Sequence, residues 1–339
     1  MKYTITICGG GAIGHICAGI FASKPSITVN ILSKRANKWN SKITIFTPSG
    51  TSIKSKINKI SKNASDVIPQ SDIVLLCVPG YLIESELQQI APVLKPNTLV
   101  GACVASSGFF FAAAKTLPTT TKLFGFQRVP YIARVQEYGQ SANLLGYKSS
   151  LAIGMRNIQD TEKVAKLFSS LFSTPVRSLA SYFDVALSNS NPILHPSRLY
   201  GMWHNWKPGV YYKEKLKFYE DWDNFSSEIL ILCDKEFFNV IKCYPCTPGA
   251  LPRLLDYYES KTSIDLTKKL RSIPAFKGIE APMLETNYGF IPDWSSRYFL
   301  EDIPFGLQII KNLALDANIE TPTIDTILDW YNKNNPTKI

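Results

Sequence analysis

Histidine is scarce in this 339-residue chain, with three in all, at positions 15, 195 and 204. Long apolar runs are missing as well. The most apolar stretch, residues 98–114, is interrupted by Ser106-Ser107-Gly108. A membrane span needs roughly 20 consecutive apolar residues, so none is expected, and the stretch reads as strand, turn and helix start. Like charges never gather into a block. Lys34-Arg35 and Lys268-Lys269 remain pairs, which argues against a nucleic-acid arm in spite of a net charge of +10 and leaves anionic small molecules as the fitting partners. The seven cysteines lack a regular spacing. Cys243-Tyr244-Pro245-Cys246 has no second Cys or His pair to complete a zinc site and reads as a turn at a helix end, so no metal is expected. Cys8, Cys77 and Cys103 fall in apolar strand-like runs, where a free thiol packs as a small hydrophobe, as in a reducing cytoplasm. No charged segment followed by an apolar core opens the sequence, so no secretory leader is expected. There is no internal repeat of about 20–50 residues.

What is present is the composition of a globular protein, 45% hydrophobic and 19% charged. The length exceeds the roughly 100–200 residues of one domain, which predicts two. Strand-like and helical runs alternate through the first half, the pattern of a parallel sheet with crossover helices. Strands are expected over residues 2–8, 27–32, 72–78, 99–104, 122–127 and 149–153, with helices over 13–23, 81–93 and 161–171. Residues 43–47 and 51–57 read as a hairpin around Pro48-Ser49-Gly50. After about residue 179 strand signals vanish, and helices are expected over 216–241, 251–260, 303–317 and 323–333. The predicted fold class is therefore α/β: an N-terminal Rossmann dinucleotide-binding domain over 1–180, followed by an all-α C-terminal domain over 181–339.

Gly9-Gly10-Gly11-Ala12-Ile13-Gly14 fits G-x-G-x-x-G between an apolar strand and a helix, which is the context that gives the motif weight. Gly9 permits a tight turn, Gly11 lets the backbone approach a pyrophosphate, and Gly14 lets the helix pack closely on the sheet. At the end of the second strand, where a carboxylate would accept from the ribose hydroxyls of NAD, stands Ser33-Lys34-Arg35, with Lys38 beyond. A carboxylate repels a 2′-phosphate, whereas Ser, Lys and Arg pair with one, so NADP(H) is the preferred cofactor and NAD(H) the alternative. A solvated basic cluster is the bland reading. Val78 and Pro79, in Cys77-Val78-Pro79-Gly80-Tyr81, close a strand at the carboxyl edge of the sheet and are expected beside the nicotinamide. An ordinary Pro-Gly turn has the same appearance.

Further along, Asn191-Pro192-Ile193-Leu194-His195-Pro196 carries one of the few histidines, although a core or capping histidine is the commoner case. His204, between Trp203 and Trp206, has the same local appeal, and His15 lies on the nucleotide helix, where packing is the expected role. Together with Gly9–Gly14, Pro130-Tyr131-Ile132-Ala133-Arg134, Phe218-Tyr219-Glu220-Asp221-Trp222 and the segment Arg297-Tyr298-Phe299-Leu300-Glu301-Asp302-Ile303-Pro304-Phe305-Gly306-Leu307, these residues resemble the opine dehydrogenases of the octopine and nopaline type. The likeness spans nearly the whole chain. It implies reductive joining of an amino acid amine to a 2-oxo acid with NAD(P)H, with His195 as general acid and base and Asp302 as its carboxylate. Asp293 is the competing aspartate, and a helix cap is the alternative role for Asp302. For substrate carboxylates the candidates are Arg134 and Arg297, with Arg128 and Arg198 behind them, because guanidinium groups clamp carboxylates bidentately. Tyr131 and Asn191 are expected near the substrate. Tyr131, Tyr200, Trp203 and Trp206 either shape a pocket or belong to the core.

Two other functions stay open at this stage. Ketopantoate reductases and hydroxyacid dehydrogenases resemble the chain mainly in its first half; they typically use a lysine on the helical domain, and the His195-Pro196 motif argues against them. A non-catalytic NADP-binding sensor is the other, against which the presence of both His195 and Asp302 weighs. Partners are expected to be an amino acid and a 2-oxo acid, with no nucleic acid and no membrane, and a homodimer is one assembly open to such a chain.

Overall fold

The computed structural model describes residues 2–106 and 108–335. Ser107 in the expected turn, and residues 336–339 at the end of the expected helical domain, lie outside the described residues. The chain divides into two compact units, Met1–Ser188 and Asn189–Ile339.

The first unit begins β1 (Tyr3–Cys8), α1 (Ala12–Ala22), β2 (Ile27–Leu32), β3 (Lys42–Phe46), β4 (Ser52–Lys56), β5 (Lys59–Ser61), β6 (Ile73–Leu76) and α2 (Gly80–Ile90). It continues β7 (Leu99–Cys103), α3 (Phe109–Thr116), β8 (Lys122–Phe126), β9 (Tyr131–Glu137), β10 (Ser141–Tyr147), β11 (Leu151–Arg156), α4 (Thr161–Phe172), β12 (Val176–Ser178) and α5 (Phe183–Ala186). Eight strands form one sheet in the order β12-β11-β8-β7-β6-β1-β2-β5. Its strands from β5 to β8 are parallel, and β11 joins β8 antiparallel. Buried on both faces, a strand such as Ile73-Val74-Leu75-Leu76 reads as one continuous apolar run, with every residue inside. The chain leaves β1 toward β2 on one side and resumes at β6 on the other. That reversal opens a crevice at the carboxyl ends of β1 and β6, where open α/β sheets hold ligands.

A second sheet runs β4-β3-β10-β9. The expected hairpin is its β3–β4 pair, but β9 and β10 were not anticipated, and Tyr131 and Arg134, expected near substrate, lie on strand β9. Buried and exposed positions alternate along it: Tyr131 and Ala133 inside, Ile132 and Arg134 outside. Helix α1 packs against both sheets, touching β1 and β2 of the large one and all four strands of the small one. This explains its sequence. Ala-Ile-Gly-His-Ile-Cys-Ala-Gly-Ile-Phe-Ala has no polar face because residues 14–21 are all buried. Even His15 is fully buried. Its ring stacks on Trp39 at 4.3 Å, and Nε2 accepts the Gly139 N–H at 2.7 Å. Nδ1 therefore carries the proton and faces the Gly11 carbonyl at 2.9 Å.

The second unit is helical: α6 (Asn191–Trp203), α7 (Asn224–Ile241), α8 (Leu254–Tyr257), α9 (Ser263–Ser272), α10 (Arg297–Leu300), α11 (Gln308–Asp316) and α12 (Pro322–Asn334). One antiparallel hairpin, β13 (Met283–Thr286) with β14 (Gly289–Pro292), departs from the expectation that strands end with the first half. The expected helix over 216–241 starts only at 224, because the Asp223 carboxylate accepts the Ser226 N–H and caps it there. The expected helix over 303–317 opens as a single π turn, Ile303–Leu307, before α11. Two prolines hide α6 from a sequence reading: Pro192 suits a first turn, but Pro196 lies inside and removes a backbone donor. No helix among the described residues is long and apolar enough to cross a membrane.

His15 makes the stability of the first unit depend on pH. Burial lowers its pKa, with Arg35 adding to the effect and the Gly11 carbonyl opposing it. Below the ordinary histidine value of about 6.5 the unfolded chain takes up a proton that the folded one refuses, so stability falls as pH falls through that region. Thermal melts between pH 7.5 and 5.5 are expected to show a steeper acid loss for the wild type than for His15→Gln. Parallel curves would assign the acid loss to other groups.

Candidate active site

The crevice between β1 and β6 is lined by the glycine loop. Gly9 has φ +114°, and a Cβ there would lie 2.6 Å from the Cys77 carbonyl oxygen and 2.8 Å from Val78 Cγ1, so only glycine fits beside the end of β6. At Gly14 an added Cβ would meet the Gly9 oxygen at 2.5 Å. Gly11, the residue before α1, faces open space where its Cβ would be, and no side chain caps the helix. The first-turn N–H groups are thus left for an anion, and the helix dipole favours one. Ala12 and Ile13 form the start of that turn. Val78 lies beside the loop, and Pro79 precedes α2. These features fit a dinucleotide pyrophosphate.

At the end of β2, Ser33 is buried while Lys34 and Arg35 are exposed. The Arg35 guanidinium lies 4.1 Å over the ring of Tyr138, whose hydroxyl is 3.4 Å from Ser33 Oγ. Tyr138 belongs to the β9–β10 turn and was not singled out from sequence. It also fills the space above Gly10, where a Cβ would meet its hydroxyl oxygen. Glu86 on α2 was missed as well. Burial raises its carboxyl pKa, against the pull of Lys34.

In the second unit the chemistry gathers on α6. His195 is buried, and its Nδ1 lies 2.8 Å from Asp302 Oδ2. The local sequence achieves this approach through Gly306: a Cβ there would sit 2.8 Å from Pro192 Cβ and Cγ, so only glycine lets the π turn settle against the first turn of α6. Asp302 stands just before that turn and its side chain makes no capping bond, which leaves the carboxylate for the histidine. Asp293 is engaged elsewhere, accepting the Ser295 N–H at 3.0 Å and the Ser295 hydroxyl. Since a carboxylate only accepts, Nδ1 carries a proton, and in the neutral imidazole Nε2 keeps the lone pair. Tyr219, 3.1 Å from Nε2, then donates its O–H. The rings of Tyr298 and Phe218 meet the imidazole edge-on at 4.6 and 5.5 Å. Burial chiefly, and then Tyr298, Tyr258 and Asp302, push the Tyr219 phenol pKa well up.

The remaining expectations divide. Arg198 is no substrate clamp. It is 2% exposed and donates from Nε to the Phe218 carbonyl at 2.8 Å, from Nη2 to the Asp221 carbonyl at 2.7 Å and from Nη1 to Asp223 at 3.0 Å. It anchors the segment that carries Tyr219. Nor does Tyr131 line a pocket: it is 1% exposed, and its hydroxyl donates to the Phe172 carbonyl at 3.1 Å inside the first unit's core. Trp203 is core, stacked on Phe299, and His204 ends α6, its Nδ1 3.0 Å from the Tyr200 carbonyl. Asn191, half-buried, opens α6. Arg297 extends an exposed side chain and pairs with Glu301 at 2.7 Å, and Arg134 is exposed on β9. Among the described residues no cluster of three or more His, Cys, Asp or Glu side chains could hold a metal ion.

Residues 178–335 match the family described as NAD/NADP octopine/nopaline dehydrogenase, alpha-helical domain, and residues 5–104 match ketopantoate reductase PanE/ApbA. Octopine dehydrogenase of Pecten maximus is 27% identical over 97% of this chain and 90% of its own length. Tauropine dehydrogenase of Arabella iricolor is 29% identical, with coverages of 97% and 90%. A solved octopine dehydrogenase with NADH and L-arginine has a TM-score of 0.85 at 24% identity, covering 98% of this chain and 89% of that one. Yersinopine dehydrogenase with NADP+ bound has a TM-score of 0.68 at 10% identity, with coverages of 98% and 90%.

Removing Arg198 strands the buried Phe218 carbonyl, takes a donor from the part-buried Asp221 carbonyl and frees the segment around Tyr219. Arg198→Met is expected to lower unfolding free energy by about 1–3 kcal/mol in urea titration, as when a buried acceptor loses its donor, since the Asp223 carboxylate left behind is half exposed. A loss below about 1 kcal/mol would mean that the segment holds itself.

Proposed function

We propose that this NAD(P)-dependent oxidoreductase, similar to the opine dehydrogenases over nearly its whole length, condenses the amine of an amino acid with a 2-oxo acid and reduces the product, using His195 as general acid and base. The observation that carries this reading is the His195–Asp302 pair, a buried imidazole 2.8 Å from a part-buried carboxylate. Relatives named for octopine, tauropine and opines support the substrate class. Condensation expels the carbonyl oxygen as water, and that departure needs a proton. Asp302 holds Nδ1 and so leaves Nε2 to carry and deliver it, and the aromatic walls from Tyr298 and Phe218 keep bulk water from the ring. His195 emerges neutral with its proton on Nδ1, ready to take another.

The glycine loop from Gly9 to Gly14 would hold the pyrophosphate of the cofactor, Val78 and Pro79 would flank its nicotinamide end, and Ser33, Lys34 and Arg35 would take a 2′-phosphate. Once bound, the reduced nicotinamide supplies the hydride. Arg297, Arg134 and Asn191 are the groups we assign to the substrate carboxylates. The surface pair of Arg297 with Glu301 is weak, so exchanging it for a substrate carboxylate costs little. The stacking of Arg35 on Tyr138 presets its guanidinium and favours NADP(H) over NAD(H).

Two measurements test these assignments. With purified protein, NADPH oxidation is expected to require both a 2-oxo acid and an amino acid, and to fall by about 10²–10⁴-fold in His195→Ala, the span of a lost general acid–base. Oxidation with the oxo acid alone would instead indicate a simple oxo-acid reductase. For the cofactor, Arg35→Ala should weaken NADPH binding by about 10–100-fold, the worth of one charge-assisted hydrogen bond, and leave NADH binding nearly unchanged. Equal affinity of the wild type for both nucleotides would refute the preference.

A further inference from the structure

Both ring nitrogens of His195 are occupied. Asp302 takes Nδ1, so any proton entering or leaving the imidazole passes at Nε2, and the Tyr219 hydroxyl stands 3.1 Å from that atom. A phenol donates to the neutral ring and accepts from the charged one, so this contact survives either state. Its ring is held in place. Phe276 stacks on it at 4.0 Å and 16°, Trp222 lies nearly parallel at 6.0 Å, and Phe218 meets it edge-on at 4.9 Å. With 5% exposure, and with Arg198 bonded to the carbonyls of Phe218 and Asp221 on either side, Tyr219 cannot swing aside without breaking this packing. A substrate that is to exchange a proton with His195 must therefore do so with the phenol still in place.

We propose that Tyr219 relays the proton between His195 and the substrate, forming the line Asp302, His195, Tyr219. The proposal rests on the acid–base reading of His195. In the reductive direction the Nε2–H bond of the imidazolium breaks and its proton joins the phenol oxygen, while the phenol's own O–H proton passes to the substrate oxygen that leaves as water. The phenol ends unchanged, the imidazole ends neutral, and no further reactant is consumed. The raised pKa of the phenol keeps it protonated around neutral pH, as a relay requires.

Tyr219→Phe removes the hydroxyl and keeps the stacked ring. The expected result is a 10–100-fold slower single-turnover oxidation of NADPH, with the Kd for NADPH and the KM for both organic substrates within twofold of wild type. Rates in H2O/D2O mixtures distinguish a relay from a merely structural hydroxyl: they should follow a curved dependence on deuterium fraction in the wild type, with two protons in flight, and a straight one in the variant. A variant as fast as wild type, or one whose curvature persists, overturns the relay. His195→Asn separates the two readings. An inactive His195→Asn beside a fully active Tyr219→Phe refutes the relay alone, whereas a fully active His195→Asn refutes the acid–base reading on which it rests.

Discussion

The approach of the π turn at Ile303–Leu307 to the first turn of α6 is the constraint on which the second unit's chemistry depends. It is possible because Gly306 has no Cβ, and any larger residue would meet Pro192. That contact brings Asp302 onto His195. A part-buried carboxylate would otherwise be left short of donors, and a buried imidazole would have no defined tautomer. Together they satisfy each other's polar groups and fix where the proton resides. The π turn also contributes directly: it opens the helix one residue wider, so that the Leu307 N–H reaches the Asp302 carbonyl at 2.9 Å, and Asp302 is not drawn into capping it.

A comparable constraint governs the first unit. Helix α1 is packed between two sheets and cannot be amphipathic, so its interior histidine must be neutral and fully bonded. His15 ties the carbonyl of Gly11, in the glycine loop, to Gly139 in the β9–β10 turn. The same turn brings Tyr138 under Arg35. The small sheet thereby supports the glycine loop and the basic strand end at once. Loop conformation and the placing of the cationic cluster are both consequences of how α1 is covered.

Several features were legible in advance because their physics is local. A glycine loop between a strand and a helix, apolar strands in alternation with helices, and a turn after α7 at Cys243 to Cys246 each follow from a few consecutive residues. The α6 helix was hidden because Pro196 argues against a helix when only its neighbours are considered, and strands β9 and β10 because their alternation is short and interrupted by bulges. Arg198 and Tyr131 were misjudged for one shared reason. An Arg or Tyr in a sequence carries the same chemistry whether it faces a ligand or a backbone carbonyl, and burial alone separates the two.

The sequence by itself determined the dinucleotide-binding character of the first half, the helical character of the second, and the presence of a histidine and an aspartate able to act together. Tertiary structure decided which groups meet. His195 and Asp302 are 107 positions apart and Tyr219 is 24 from the histidine, so no local periodicity links them. The choice of Asp302 over Asp293, and the arrival of a phenol at the remaining nitrogen, depend on close packing between elements. A hydrogen bond is made or lost within a few tenths of an ångström, a distance that only the folded chain sets.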